Sequence, residues 1–101
     1  MSMVKLIMSW NIRPGKEQQY FEFVVQELAP GLTRLGLQTV EVLYTIYGDV
    51  PQIVTYVVAK DLDTLQAILR SSEWHALQER LLEFVTDYRQ KIVRASGRLQ
   101  F

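Results

Sequence analysis

Hydrophobic residues recur at every second position along several stretches of the chain, which is the period of a β-strand with one buried face. In residues 4–12 one face carries five apolar side chains: Val4, Leu6, Met8, Trp10 and Ile12. Residues 37–47 alternate in the same way, and residues 52–60 are rich in Val, Ile, Thr and Tyr, which also indicates a strand. Turn-forming residues 48–51 lie between them, so the two stretches predict a hairpin. Residues 88–94 predict a fourth, less regular strand.

Between the strands, apolar residues recur at helical spacing. Residues 16–28 have one apolar stripe: Phe21, Val24, Val25 and Leu28. Pro30 lacks a backbone N–H, so we expect this helix to break or kink near Ala29. Leu32 and Leu35 extend the apolar face for one turn, and Gly36 is a suitable C-terminal cap.

A second helical region follows the hairpin. Asp61 is a suitable N-cap for residues 62–70, and Ser72 for a further helix. The inner positions of the first are Leu62, Leu65, Ile68 and Leu69, and those of the second are Trp74, Leu77, Leu81, Phe84 and Val85. From both regions we predict a monomer core that includes Phe21, Val24, Leu28, Leu65, Leu69, Leu77 and Leu81.

The order of elements is β-α-β-β-α-β, the pattern of the ferredoxin-like α+β fold with a four-stranded antiparallel sheet. In this fold the two helical regions cover only one face of the sheet. The other face would carry a mixture of apolar and polar side chains: Ile7, Ser9, Asn11, Glu41, Leu43, Thr45 and Tyr47. This set is too apolar to face water across a whole sheet and too polar for a dry core. We therefore expect a homodimer in which two sheets stack around a small polar-lined cavity.

Composition narrows the class of protein. A length of 101 residues predicts one domain, residues 1–101. The formal net charge is zero, which disfavours nucleic acid as a partner, and no apolar run is long enough to span a membrane. The absence of cysteine fits a cytoplasmic location, and with one histidine there is no constellation for a metal site.

Several marks along the chain resemble the dimeric α/β-barrel superfamily, and in particular its antibiotic-biosynthesis-monooxygenase-like and NIPSNAP-like branches. These marks are the strand end at residues 13–16, the aromatic residues of the first helix, the hairpin, and the helix break at residues 69–74. The resemblance implies a barrel formed by two copies. Related families include cofactor-free monooxygenases, haem-degrading monooxygenases, lactone isomerases and proteins without known activity.

The haem-degrading branch uses an Asn on the first strand, a Trp on the late helix and a haem-ligating His one helix face later. At the matching positions this chain has Ile68 in place of the Trp and Gln78 in place of the His. Asn11 also lies too close to Gly15 to match the strand Asn. We therefore expect no haem, and no other cofactor.

Two residues are candidates for catalysis. Glu41 interrupts an apolar strand on the face assigned to the dimer cavity, where it could act as a base or hold a cationic ligand group. The alternatives are a structural ion pair with Lys5, Arg89 or Lys91, or simple exposure at a sheet edge. The only histidine, His75, could be a general base, or it could lie half exposed beside the helix start.

The expected ligand-lining set combines Glu41 with side chains that can form hydrogen bonds: Ser9, Asn11, Thr45 and Tyr47. Two functions fit these residues. The chain could be a cofactor-free monooxygenase or isomerase acting on a small organic metabolite in the barrel cavity, or a non-catalytic ligand-binding or assembly module. The polar residues on an apolar sheet favour the enzyme, and the small number of acid and base groups favours the module.

Overall fold

A computed structural model describes residues 3–94. Along the chain, the elements are β1 (Val4–Ile12), α1 (Glu17–Phe23), a π-helical segment (Val24–Leu28), α2 (Ala29–Arg34), β2 (Gln38–Tyr44), β3 (Ile53–Ala59), α3 (Leu62–Leu69), α4 (Ser72–Leu82) and β4 (Val85–Arg94). None of the helices within residues 3–94 has the length and apolar content needed to cross a bilayer.

The four strands form one antiparallel sheet in the order β2-β3-β1-β4, which confirms the predicted ferredoxin-like α+β fold. The helices pack against one side of this sheet, which we call the helix face. Alternate residues of β1 are buried there, from Val4 to Ile12, as the period-two pattern predicted.

The opposite side, which we call the open face, carries the other strand residues, and no helix of residues 3–94 packs on it. Its members are Lys5, Ile7, Ser9 and Asn11 on β1, Gln38, Glu41 and Leu43 on β2, Val54, Tyr56 and Val58 on β3, and Thr86, Arg89, Lys91 and Val93 on β4. Most of these side chains are half-buried or exposed.

The core lies between the sheet and the helices. Of the seven predicted core residues, Leu28, Leu65 and Leu81 are buried, and three others pack against the core while partly buried: Val24, Leu69 and Leu77. Phe21 was wrongly assigned, because 43% of it is exposed.

The first helix presents a different face to the core from the one predicted. Tyr20 and Phe23 are buried in place of Phe21 and Val25, and 72% of Val25 is exposed. The cause is tertiary: the Tyr20 hydroxyl accepts a hydrogen bond from the Trp10 indole, and Phe23 stacks on another core ring. These contacts rotate the helix about its axis by roughly one residue, compared with the orientation that would bury its aliphatic stripe.

Near Ala29, where the sequence predicts a break or a kink, helical backbone continues but its hydrogen-bond pattern changes. The backbone is helical from Glu17 to Arg34, and the π-helical segment ends directly before α2, which has Pro30 in its first turn. The Ala29 N–H donates to the Val24 carbonyl in the π-helical pattern, so the regular α-helical bonding is interrupted just where the proline has no N–H to donate. Gly36 follows α2 with φ +91°, as expected of a C-terminal glycine cap.

Four boundaries differ from the sequence-based expectation. The strand predicted for residues 37–47 ends at Tyr44. The cap of α4 is Ser71, whose Oγ accepts from the backbone N–H of Trp74, instead of Ser72. The helix ends at Leu82, and β4 begins at Val85 instead of residue 88. Asp61 caps α3 as predicted, with its Oδ1 accepting from a backbone N–H at 2.8 Å.

Candidate functional site

The register of the sheet arranges the open face in rows that run across all four strands. One row consists of Glu41, Tyr56, Ile7 and Lys91, each opposite the next on the neighbouring strand. A second row consists of Leu43, Val54, Ser9 and Arg89. In the first row, Tyr56 and Ile7 therefore lie between an edge carboxylate and an edge ammonium, and the second row ends on Arg89 at the β4 edge.

Glu41 lies on the open face, on the side of β2 that the alternation predicted. A bulge between Thr39 and Glu41 turns Thr39 to the helix face, where it lies opposite buried Val57, although strict alternation along residues 37–47 would predict Thr39 on the same side as Glu41. Glu41 is exposed and makes no ion pair within residues 3–94. The intrachain pair with Lys5, Arg89 or Lys91 therefore does not form.

Ser9 lies at the centre of the open face, beside a groove of about 360 Å³. The groove is lined by Ile7, Ser9, Arg89, Gln90 and Lys91. Its two cationic side chains belong to the edge strand β4, so an anionic group could be held here.

Asn11 lies on the open face but serves the structure. Its Nδ2 donates to Asp87 Oδ2 at 3.1 Å, and its Oδ1 accepts from the backbone N–H of Gln52 at 2.9 Å. The Gln52 side chain in turn accepts from the backbone N–H of Ile12 at 2.7 Å. Asn11 thus joins the ends of three strands, and one amide hydrogen and one lone pair remain for a ligand.

Two members of the expected ligand set lie outside the strand. Thr45 follows the end of β2, and its hydroxyl donates to the Pro51 carbonyl across the turn at 2.9 Å. Tyr47 is in the turn itself and is 96% exposed. The turn thus removes Tyr47 from the sheet and engages the Thr45 hydroxyl, because the hairpin closes earlier than the alternation of residues 45–47 suggested.

The two catalytic candidates are not brought together. His75 is exposed on α4, in the helix layer, whereas Glu41 is on the opposite side of the sheet. An imidazole and a carboxylate must approach to hydrogen-bond distance to act as a pair. His75 and Glu41 therefore cannot act jointly within one chain.

A second candidate site lies between α1, the π-helical segment and the sheet. This helix–sheet cleft has a volume of about 90 Å³. Its lining residues are Trp10, Tyr20, Val24, Leu28, Ala29, Leu32, Thr39, Val42 and Thr55. Sequence reasoning did not find it, because the cleft depends on the bulge that turns Thr39 inward and on the rotation of α1 that buries Tyr20.

The polar groups of the cleft are hydroxyls. Tyr20 accepts from the Trp10 indole at 3.0 Å, and its own hydrogen can point into the cleft. Burial raises the pKa of Tyr20 to about 12, so the hydroxyl is neutral at physiological pH. Thr55 is the buried polar residue of β3, and its side chain lies on the same wall.

These features limit the chemistry of each site. The cleft offers neutral donors in an apolar wall, and none of its lining residues is a carboxylate or an imidazole. The open face offers the Glu41 carboxylate on β2, cations on β1 and β4, and the Asp87 carboxylate beside Asn11 near the start of β4. Within residues 3–94, no group of three or more histidine and acidic residues is placed to hold a metal ion.

Comparisons with known proteins were made at three levels. No family model matches the chain, and no curated protein matches it in sequence. Solved structures do match. A NIPSNAP family protein from Agrobacterium tumefaciens is 22% identical, with 94% of this chain and 87% of that chain covered and a TM-score of 0.69.

Two further structures extend the comparison. An ethyl tert-butyl ether D family protein from Bacillus halodurans is 21% identical, with 93% and 99% of the two chains covered and a TM-score of 0.74. A dimeric protein of unknown function with a ferredoxin-like fold, from Bacteroides fragilis, is 17% identical, with 92% and 96% covered and a TM-score of 0.63. At these identities the likeness concerns the fold. The structural neighbours include NIPSNAP family proteins, in agreement with the NIPSNAP-like resemblance seen in the sequence.

Proposed function

We propose that the protein is a homodimer that binds a small, mostly apolar organic molecule in the helix–sheet cleft. The observation that carries the proposal is the Tyr20 hydroxyl, which is buried, neutral and still able to donate into an apolar cleft. Ligand sites commonly combine apolar walls with a few placed polar groups.

The cleft sets the size and polarity of the ligand. A volume of about 90 Å³ suits a single ring or a short branched chain. The Tyr20 and Thr55 hydroxyls favour a ligand with one acceptor, such as a phenol, a small ketone or an ether. A carboxylate is disfavoured, because none of the lining residues carries a positive charge.

Nuclear magnetic resonance can test this with phenol and toluene as probes. The chain has two tryptophans, and only Trp10 lines the cleft, so the Trp74 indole is an internal control. We expect both probes to shift the Trp10 indole signal and leave Trp74 in place. Phenol should bind more tightly than toluene, and Tyr20→Phe should remove that preference. Equal shifts of both indoles, or none at saturating probe, would overturn the proposal.

A steric variant checks the location of binding. Val42→Phe should fill the cleft and abolish the shifts, since Val42 is a half-exposed lining residue. Leu43→Phe is the matched control, because Leu43 has similar exposure on the same strand and faces the other way. Loss of binding in both variants would locate the probe elsewhere.

The homodimer is the second part of the proposal. In one chain the open face leaves apolar side chains half-buried or exposed, among them Ile7, Leu43, Val54 and Tyr56. A second copy would cover them. The Bacteroides fragilis neighbour is a dimer with the same fold. Light scattering should give twice the chain mass of 11.8 kDa at micromolar concentration, and the single chain mass would contradict it.

A catalytic function is the alternative: a cofactor-free monooxygenase or isomerase acting on a small organic metabolite between the two sheets. Ser9, Asn11 and Glu41 of the open face would line this cavity, and Glu41 would be the base. This catalytic alternative is favoured by the position of Glu41 in the same row as apolar Tyr56 and Ile7. Glu41→Gln should then abolish turnover of such a metabolite while probe binding in the cleft is unchanged.

A further inference from the structure

Charge is distributed unevenly across the open face. The β4 edge carries Arg89 and Lys91, and β1 beside it carries Lys5. The one β4 carboxylate at this face, Asp87, lies near the start of the strand, where it accepts from Asn11. The β2 edge carries Glu41. Glu41 and Lys91 are members of the same row, at its two ends, with Tyr56 and Ile7 between them.

These opposite charges cannot meet within one chain. Neighbouring strands are about 4.8 Å apart, so the three intervals from β2 to β4 separate the two ends of a row by about 14 Å. The ion pairs within residues 3–94 are those of Arg80 with Glu27 and Glu83, on the helix side. The open-face charges are therefore available to a partner.

A pair of sheets related by a two-fold axis can stack in two aligned ways, since the axis must lie between the sheets. If the axis runs across the strands, each strand lies over the same strand of the other copy. If the axis runs parallel to the strands, β2 lies over β4 of the other copy. Each row then lies over the same row of the other copy, because a rotation produces no shift along its axis. Sheets packed face to face keep their strands within about 30° of alignment, so both arrangements are sterically allowed.

The charges distinguish between the two arrangements. With the axis across the strands, β2 with Glu41 would lie over β2 of the other copy, and the β4 cations would lie over the same β4 cations. With the axis parallel to the strands, each Glu41 would lie over β4 cations, and this contact would occur twice by symmetry. We propose that two copies stack their open faces about an axis parallel to the strands, so that Glu41 pairs with Lys91 of the partner subunit, beside Arg89 of the partner subunit. This orientation rests on the homodimer proposed above.

The middle of the open face fits the same arrangement. β3 would cover β1 of the partner, which places Tyr56 over Ile7 of the partner subunit and Val54 over Ser9 of the partner subunit. Stacked sheets lie about 10 Å apart, a gap that a glutamate and a lysine side chain span together. The groove of about 360 Å³ beside Ser9, Arg89 and Lys91 would receive side chains of the partner's β2 edge.

Zero-length cross-linking tests the orientation directly. A carbodiimide joins a carboxylate to an amine without a spacer, and Glu41 and Lys91 of one chain are too far apart for this reaction. With equal amounts of ¹⁴N- and ¹⁵N-labelled protein, we expect a Glu41–Lys91 cross-linked peptide that contains both isotopes. A dimer that gives no such peptide, while other carboxylate–amine pairs react, would overturn the orientation.

The dissociation constant of the dimer supplies a second readout, because the proposed orientation predicts which substitutions raise it and which restore it. Glu41→Gln should weaken the dimer about tenfold, since two symmetry-related pairs are lost, and Glu41→Lys about a hundredfold. The triple variant Glu41→Lys, Arg89→Glu, Lys91→Glu should return it to within about threefold of the wild type. Glu79→Lys, the same change at an exposed position of α4, is the control and should have no effect.

The outcomes separate this inference from the homodimer itself. A chain that is monomeric by light scattering would contradict both the homodimer and the proposed orientation. A dimer that Glu41→Gln strengthens, and that added salt strengthens too, has like charges facing each other and therefore the axis across the strands. A dimer that weakens with Glu41→Gln and with salt has the proposed orientation.

Discussion

The two faces of the sheet are made from alternate residues of the same four strands, but their side chains are engaged very differently. On the helix face Leu6, Met8 and Trp10 are almost wholly buried, and the Trp10 indole has a hydrogen-bond partner. On the open face their neighbours Ile7 and Ser9 are half-buried, and no helix or strand within residues 3–94 lies above them. The same strand thus packs into a closed core with one set of side chains and leaves the alternate set partly accessible to solvent. The first determines the fold, and the second is the surface available for a second copy.

The largest effect should come from the same truncation made on the two faces. Leu6 is 0% exposed, so Leu6→Ala should lower the free energy of unfolding by about 2–5 kcal/mol. Leu43→Ala, on the open face, should cost less than about 1 kcal/mol in the monomer. Urea denaturation at a concentration where light scattering reports the monomer measures both. Equal losses would mean that the open face is already packed within one chain.

A tyrosine pair extends the comparison to hydrogen bonds. Tyr20→Phe leaves the buried Trp10 N–H without its acceptor and should cost about 1–3 kcal/mol. Tyr56→Phe on the open face keeps the ring, over which Lys5 Nζ lies 5.5 Å from the centroid, and should change stability by less than about 0.5 kcal/mol. The same denaturation experiment tests both, and a loss in Tyr56→Phe as large as in Tyr20→Phe would contradict the assignment.

Alkaline pH should act through the helix face. Burial raises the pKa of Tyr20 from 10.0 to about 12, and that of Tyr88, which stacks on Trp10, also to about 12. The folded chain therefore holds these protons more tightly than the unfolded chain. Their contribution to stability is complete below pH 10 and is lost as the pH rises to 12. The urea midpoint should fall over this range, and less steeply in Tyr20→Phe; an unchanged slope would argue against a buried Tyr20.

The sequence was sufficient for features that depend on one element and insufficient for those that depend on two. The alternation in β1 and the side of β2 that carries Glu41 follow from strand geometry alone, and both are confirmed. The rotation of α1 does not, because Tyr20 is drawn inward by Trp10 on another element. The cleft needs both that rotation and the bulge beside Thr39, so no local pattern could indicate it.

The helix layer itself should show tight packing at Gly31. A Cβ at this position would lie 2.9 Å from Leu77 Cδ2, so the Leu77 side chain must shift, and Gly31→Ala should be close to neutral although alanine favours helix by about 1 kcal/mol. In a Leu77→Ala background the clash is gone, and the same substitution should instead stabilise by about 0.5–1 kcal/mol. A double-mutant cycle measures this coupling, and simple additivity of the two changes would show that the contact is absent.

The smallest effect should distinguish a paired carboxylate from an unpaired one. On the helix side, Glu27 accepts two hydrogen bonds from Arg80, at 3.2 and 2.8 Å, and these hold the pKa of Glu27 below its usual 4.5. Its stabilising contribution is therefore present above pH 4.5 and is lost as the pH falls through the lowered pKa. Glu27→Gln should lower the urea midpoint only slightly at neutral pH, because both side chains are 42% exposed and water weakens the pair. In strong acid the carboxyl is protonated, and the substitution should have no effect. Glu41→Gln, the same change on the open face, should leave the monomer midpoint unchanged at neutral pH, since Glu41 has no ion-pair partner within residues 3–94. If Glu41→Gln altered the monomer as Glu27→Gln does, the open-face carboxylate would be engaged within its own chain, and the pairing between copies would lose its basis.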